Sequence, residues 1–438
     1  MNTQTLHDSL TTLSDEGRHT QPSWVGRIGR SILYQRMAAI AEGELIVRDG
    51  KETRHFGSAT AEFPLSVELN VVDGRFWGDA AFGGSVGAGE AYIRGYWRTS
   101  DLTGLVRLMV RNRKVLDRLD AGPAHFTAPL RKILHFANRN TQRGAERNIA
   151  AHYDLGNDFF KLFLDPTMAY SCAIYPRPEA TLEEASLTKF DVVCRKLDLK
   201  PGERLMEIGT GWGGLAIHAA RHYGVHVTTT TISTEQHDYA RAAIEREGLS
   251  DRITLLKKDY RQLDGEYDKV VSVEMVEAVG HQFLDGYFQV LSRLAKPDGM
   301  VLLQAITIQD QMYDYALAAV DYIQRYVFPG GFCPSVTRLV TTATRASDLK
   351  LFHLEDIGIH YARTLRDWRL NLVANVNKAR SLGCTDEFLR LWEYYLCYCE
   401  GGYLERQLGN VHLLFTKPRC QRAPLITGIP AHGMPTPA

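Results

Sequence analysis

The 438-residue chain has no unbroken apolar run of about 18 residues, so no transmembrane helix is predicted. Its first residues carry Asp8, Asp15 and Glu16 and lack the apolar core of a signal peptide. Cysteine is scarce: seven residues, odd in number and irregularly spaced, make no disulfide framework in a chain this long. No C-x-x-C pair occurs, and Cys397-Tyr398-Cys399 has the wrong spacing for zinc, so no metal is expected. The simplest compartment is the reducing cytoplasm. Charge of neither sign prevails, since 51 basic residues balance 51 acidic ones, and net charge points to no class of partner. No internal repeat is present.

Charge is nevertheless uneven. Residues 101–150 hold ten basic residues, including Arg107, Arg111, Arg113, Lys114, Arg118, Arg131 and Lys132, against four acidic. Such a stretch suits anionic lipid headgroups or nucleic acid, or is simply a solvated helix face.

The pattern along the chain gives the organisation. Residues 1–22 are polar and expected to be disordered. Trp24, Ile28, Ile32, Leu33, Met37 and Ile40 recur at helical spacing, which predicts a helix over 23–43. Short strands follow, with hairpin-type turns at Asp49-Gly50 and Asp73-Gly74 and a period-two run over Val67–Val71. Gly83, Gly84, Gly87 and Gly89 read as a tight loop, and 102–119 as a helix. Residues 23–122 thus form a small α+β domain, 123–148 a basic linker or helix, and 419–438 a flexible tail. From about 200 strands and helices alternate, with strands at 204–208, 225–231, 253–256, 269–273 and 300–306. That order predicts a parallel sheet with helices on both faces. Further strands are expected at 351–354 and 411–416, with helices across 364–407.

The strongest local signal is Glu207-Ile208-Gly209-Thr210-Gly211-Trp212-Gly213-Gly214, where a strand ends and a helix begins. Glycines there let the backbone turn sharply and approach a ligand closely. The spacing is G-x-G-x-G, and no Lys-Ser or Lys-Thr follows, so it is not a phosphate-binding Walker loop. A carboxylate two residues before the first glycine repels a phosphate and suits the amino group of a methionine moiety, which points to S-adenosylmethionine. A dinucleotide or a purely structural turn is the alternative. The second strand ends in Thr231, with Gln236 one helical turn on; a hydroxyl and an amide can replace the acid that usually holds a ribose. Asp259 and Tyr260 follow the third strand, where an adenine would lie.

Further motifs join these: His152-Tyr153-Asp154-Leu155-Gly156-Asn157-Asp158-Phe159-Phe160, Met168-Ala169-Tyr170-Ser171-Cys172, Val273-Glu274-Met275-Val276-Glu277, Phe328-Pro329-Gly330-Gly331 and His360-Tyr361. With them the chain resembles the cyclopropane fatty acid synthase family, over about 148–417 and more faintly throughout. Gly89-Glu90-Ala91-Tyr92, Gly95 and Trp97 resemble the N-terminal domain of its phospholipid-acting members. The resemblance implies a class I S-adenosylmethionine methyltransferase domain over 149–418, with a mixed seven-stranded sheet, behind a lipid-docking α+β domain at 23–122. It implies peripheral contact with the inner face of the membrane, a membrane phospholipid with an unsaturated acyl chain as substrate, and no nucleic-acid partner; a homodimer is an allowed assembly. Tyr170, Ser171, Thr231, Gln236 and the glycine turn would hold the cofactor. A bicarbonate ion would serve as base, held by the Cys172 backbone, Glu277, Tyr361 and the backbone near Ile306, with Cys399 close by. Tyr170 and Tyr175 would steady a carbocation.

The chain departs from the family at two places. The family's bicarbonate histidine, in a His-Thr-Ile type segment, is replaced in Gln304-Ala305-Ile306, and its Glu-His-Val-Gly pattern reads Glu277-Ala278-Val279-Gly280. A glutamine amide can bond an anion but cannot accept a proton as imidazole does. Both departures resemble the tuberculostearate-type fatty acid methyltransferases, which make branched chains. The expected product is a cyclopropane acyl chain, with a methylene- or methyl-branched chain as the alternative and a small-molecule N- or O-methyltransferase as the rival of another class.

Overall fold

The structure is a computed structural model and describes residues 19–113, 115, 117, 156–319 and 321–425. The expectations for residues 1–18, the linker at 123–148, the His152–Leu155 part of the first motif and the end of the tail lie outside the described residues. His19 and Thr20, expected in a disordered terminus, are held: His19 bonds Asp49 at 2.5 Å, and Thr20 bridges Asp73.

The N-terminal layer opens with helix α1 (Trp24–Met37), capped by Ser23, whose hydroxyl accepts the Gly26 N–H. Strands β1 (Gly43–Asp49) and β2 (Glu52–Ser58) form the hairpin that Asp49-Gly50 predicts. Strand β3 (Ser66–Val71) lies parallel to β1, and the two-residue β4 (Trp97–Arg98) closes the order β2-β1-β3-β4.

Two sequence expectations fail in this layer. Asp73-Gly74 is not a hairpin turn; it leads into helix α2 (Arg75–Ile93). The four glycines expected in a loop lie inside that helix, which kinks at Gly84 (φ 64°, ψ −150°). The glycines serve packing. A Cβ on Gly87 would stand 2.1 Å from the Asp79 carbonyl oxygen, and one on Gly89 would press on the Tyr322 and Tyr394 rings at 3.1 Å. Helix α3 (Leu102–Arg111) follows, capped by Asp101.

The second layer is a seven-stranded sheet in the order β10-β11-β9-β8-β5-β6-β7. Strands β5 (Arg204–Ile208), β6 (His226–Thr230), β7 (Ile253–Leu256), β8 (Tyr267–Val273) and β9 (Ala295–Ile308) run parallel. Strand β11 (Leu408–Thr416) pairs antiparallel with β9 and with β10 (Lys350–Asp356), which makes the sheet mixed. The centre of β9, Val301–Ala305, is buried throughout, as a strand covered on both faces must be. Helices α4 (Leu182–Leu197), α5 (Gly214–Tyr223), α6 (Thr234–Arg246), α7 (Leu284–Leu294) and α8 (Val336–Ala346) flank the sheet; α9 (Gly358–Ala374) and α10 (Asp386–Leu404) form the helical region expected late in the chain.

Helix α10 joins the two layers. Its buried Glu393 and Glu400 accept the Tyr92 hydroxyl at 2.7 Å and the Thr103 hydroxyl at 2.9 Å. Arg107 and Arg111, from the basic stretch, pair with Glu405 just past the end of α10, whose side chain is buried. A carboxylate withdrawn from water needs such partners, so these two charges tie the layers together.

Candidate active site

One cavity of about 1110 Å³ starts at the C-terminal ends of the parallel strands and continues into the N-terminal layer. Its lining changes along its length. Gly209 and Gly211 line it from the sheet layer, with Glu274 and Tyr361, and Leu69 and Leu105 line it from the N-terminal layer. The position follows from topology: in an open parallel sheet, ligands bind beyond the carboxyl ends of the strands.

At the glycine end, Gly209, Gly211 and Gly213 have φ of 100°, 52° and 94°, which an L side chain would oppose. Gly209 and Gly211 face the cavity. Gly213 does not; it caps α5 and packs on Ala240. Glu207 is buried, and its carboxylate accepts the Thr229 hydroxyl at 2.6 Å. Burial pushes its carboxyl up to about 8, against the opposing Thr229 bond and the Lys189 charge. An acid so desolvated favours a cationic ligand, and an ammonium group satisfies it. The residues present therefore fit the methionine amino group of S-adenosylmethionine.

Thr231 donates to Gln236 Oε1 at 2.9 Å and accepts the Ser233 N–H at 3.1 Å, so the expected pair converges on the cavity. Asp259 also faces it, but its carboxylate is held by the Arg261 guanidinium at 2.8 and 3.0 Å. Tyr260 packs edge-on against Tyr287. Ser171 accepts from Lys189 Nζ at 2.8 Å. Lys189 is a buried lysine that sequence reading passed over, and burial lowers its affinity for a proton. Tyr170 lines the cavity, stacks on Trp368 and meets the Tyr395 hydroxyl at 3.1 Å. Tyr175, the other expected cation-steadying ring, does not line the cavity. Its face is covered by the Arg363 guanidinium at 3.9 Å, and its hydroxyl bonds Asp367.

A side-chain carboxylate occupies part of the expected anion site. Glu274, just past the end of β8, reaches into the donors that the resemblance assigns to bicarbonate. Its Oε1 accepts the Cys172 N–H at 2.9 Å, Gln304 Nε2 at 2.8 Å and Asn410 Nδ2 at 2.6 Å. Its Oε2 accepts the Tyr361 hydroxyl at 2.8 Å. Cys172 and Gln304 are fully buried and do not line the cavity, whereas Glu274 does. A bicarbonate does not fit where these donors already hold a side-chain carboxylate. The Cys172 thiol bonds backbone carbonyls, and burial raises its pKa far above the usual thiol range. Cys399 does line the cavity, with its thiol pushed up by burial in the same way.

Glu277 stands apart from this cluster. Its Oε1 accepts the Ile306 N–H at 2.5 Å, while Oε2 is buried with no hydrogen-bond partner. Burial, then the Glu274 charge, pushes its carboxyl up to about 8. Burial raises the Glu274 carboxyl as well, but the Cys172 N–H, the Gln304 and Tyr361 bonds and the Lys189 charge oppose that rise, so Glu274, with four donors against one on Glu277, is the acid better stabilised as a carboxylate.

Behind Glu274 the orientation of Gln304 is fixed. Strand pairing sets His412 opposite Gln304, and His412 Nε2 lies 2.9 Å from Gln304 Oε1. His412 Nδ1 accepts a hydrogen bond from Lys196 Nζ at 2.8 Å, and Lys196 also pairs with Glu355. An ammonium only donates, so Nδ1 accepts, Nε2 carries the hydrogen, and the Gln304 NH₂ points at Glu274.

The sequence model of the family described as mycolic acid cyclopropane synthetase matches residues 140–413. Tuberculostearic acid methyltransferase of Mycobacterium tuberculosis is 37% identical over 328 residues, 73% of this chain and 76% of that protein. Cyclopropane-fatty-acyl-phospholipid synthase of Escherichia coli is 36% identical over 335 residues, 76% of this chain and 84% of that protein. The solved structure of mycolic acid cyclopropane synthase CmaA1 complexed with SAH and CTAB superposes with a TM-score of 0.58 at 31% identity, covering 62% of this chain and 98% of that one.

Proposed function

The chain belongs to the mycolic acid cyclopropane synthetase family, an S-adenosylmethionine-dependent methyltransferase by that membership, and we propose that it adds a one-carbon unit to the cis double bond of an unsaturated acyl chain in membrane phospholipid. The observation that carries this reading is the single cavity that joins a cation-demanding glycine end to an apolar end built by a second layer. A small polar substrate has no use for the apolar end. That CmaA1 has been solved in complex with both SAH and CTAB supports a site that takes a second molecule beside the cofactor.

S-adenosylmethionine supplies an electrophilic methyl group. Glu207 would hold the amino group, Thr231 and Gln236 the ribose hydroxyls, and the glycine turn would let the backbone close on the ligand. Tyr170, Tyr361 and Tyr395 present electron-rich rings and oxygens around the middle of the cavity, where positive charge develops on carbon. The apolar walls from Leu69 to Leu105 exclude water, which would otherwise capture a carbocation.

A cyclopropane forms when the new methyl group loses a proton as the ring closes. Gln304 in place of a histidine supports a second product reading, a methylene-branched chain formed when a hydride moves before the proton leaves. Incubating the protein with oleoyl phosphatidylethanolamine liposomes and S-adenosylmethionine tests the reading by acyl mass, and proton NMR separates ring from methylene hydrogens. The expected result is a heavier acyl chain. Mass gain on the headgroup amine, with the acyl chains unchanged, refutes it.

A further inference from the structure

We propose that the Glu274 carboxylate is this protein's resident base: it takes the place of a bound anion, faces the carbocation and collects the proton that leaves the new methyl group. This rests on the lipid-methylation reading above and deepens it.

Three observations carry it independently of one another. The first is occupancy, since the Cys172 N–H, the Gln304 amide, the Asn410 amide and the Tyr361 hydroxyl all point at one side-chain carboxylate. Free bicarbonate would have to displace a covalently tethered acid from every one of these bonds. The second is backbone strain. Glu274 sits at φ 48°, in the left-handed region that suits glycine, where a side chain costs about 1–2 kcal/mol. A residue held there against its preference is over-determined by its surroundings, which is the mark of a site that uses the side chain. The third is orientation: the chain Glu355–Lys196–His412–Gln304 fixes which end of the Gln304 amide meets Glu274, so the amide donates and never opposes the negative charge.

The oxygen count also suits a base. Oε1 accepts three donors and Oε2 one, and a carboxylate offers about four lone-pair sites over two oxygens, so Oε2 keeps a lone pair free. The step balances without any co-reactant. The alkene π pair forms a bond to the donated methyl as the sulfur–carbon bond breaks and its pair stays on sulfur. The neighbouring carbon becomes cationic. Oε2 then takes H⁺ from the methyl, and that C–H pair closes the ring, or forms the exocyclic double bond if a hydride has already moved. Glu274 is left neutral and returns its proton to solvent when product departs.

The test uses the full-length protein, oleoyl phospholipid liposomes and S-adenosylmethionine, in buffer stripped of carbon dioxide under argon or supplemented with ¹³C-bicarbonate. Acyl mass, cofactor affinity by calorimetry and ¹³C line broadening are read together. Wild type should turn over equally with and without bicarbonate and leave the ¹³C line sharp. Glu274→Gly, which suits the φ, should retain cofactor affinity and lose about 10²–10⁴-fold in turnover in stripped buffer. It should also broaden the ¹³C line and recover turnover when bicarbonate fills the vacated donors. Glu274→Gln, a shape match without basicity, should stay inactive in both buffers. A wild type that methylates lipid only when bicarbonate is present overturns the proposal and leaves the lipid reading standing, as does a Glu274→Gly that matches wild type in stripped buffer. A wild type that binds cofactor and methylates no acyl chain in either buffer overturns both.

Discussion

Replacing His412 by leucine should unsettle the base without touching it. The imidazole is fully buried between Lys196 and Gln304. Leucine fills much of its volume and makes neither bond. Gln304 Oε1 is then a buried acceptor with no donor, at a cost of about 1–3 kcal/mol. Lys196 loses one acceptor but keeps Glu355, for about 1 kcal/mol more. The expected loss is about 2–4 kcal/mol at pH 7, read from the urea midpoint at constant slope. The pH dependence has a definite sign. Burial holds the His412 pKa well below its ordinary value, so below about pH 6.5 the unfolded chain binds a proton that the native state refuses. Wild-type stability therefore falls with acid, with a limiting slope of about 1.4 kcal/mol per pH unit from this group, and the leucine variant lacks that contribution. The gap between the two should narrow from pH 7 to pH 5. Turnover should fall at pH 7 with cofactor affinity kept, because a freed Gln304 can turn its oxygen toward Glu274. A gap below about 0.5 kcal/mol, or one that widens with acid, would refute the relay.

Glu207→Gln should weaken S-adenosylmethionine about 10–150-fold, the worth of a charge-assisted bond of about 1.5–3 kcal/mol, measured by calorimetry; unchanged affinity would remove Glu207 from the cofactor site. Leu105→Trp narrows the apolar end of the cavity, with an overpacking cost of about 1–3 kcal/mol. KM for long-chain lipid should rise more than KM for short-chain lipid at equal cofactor affinity, and equal changes would put the acyl chain elsewhere.

How far the sequence reached depended on what kind of signal each residue gives. Strand β5 falls where its apolar residues place it, because a covered strand is written in consecutive residues, and the edge strand β7 falls where its short run Ile253–Leu256 does. The glycines of α2 misled, because their cause is a carbonyl and two rings distant in sequence or around a kink, and local pattern reads glycine as turn. Glu274 lay inside a motif already singled out, three residues from Glu277, and still went unread. Nothing in the sequence Glu-Met-Val-Glu says which acid meets the donors; the left-handed φ at 274 decides it. Asn410 and His412 come from the last strand, more than a hundred residues from their partners, and reach them only through the antiparallel register of β11 on β9. Lys189 gave no signal, since a lysine inside a helix reads as solvated surface until the fold buries it.

The placement of the buried acids matches the path of charge. In the proposed reaction the positive charge starts on sulfur and ends on a lipid carbon. Net charge never changes, so a site need only keep an anion near each station. Glu207 and Glu274 stand at and just beyond the ends of the adjacent strands β5 and β8, both line the cavity, and the Lys189 charge opposes the cost of burying each. A carboxylate about 4–5 Å from a developing cation, at an effective dielectric of about 20, is worth about 3–4 kcal/mol, or roughly 10²–10³ in rate. A diffusible anion could supply the same field only after paying its own binding cost each turnover; an acid on the strand is already in place. Raising the salt concentration should leave turnover on a neutral detergent-solubilised lipid nearly unchanged, because the fold shields both anions from solvent ions.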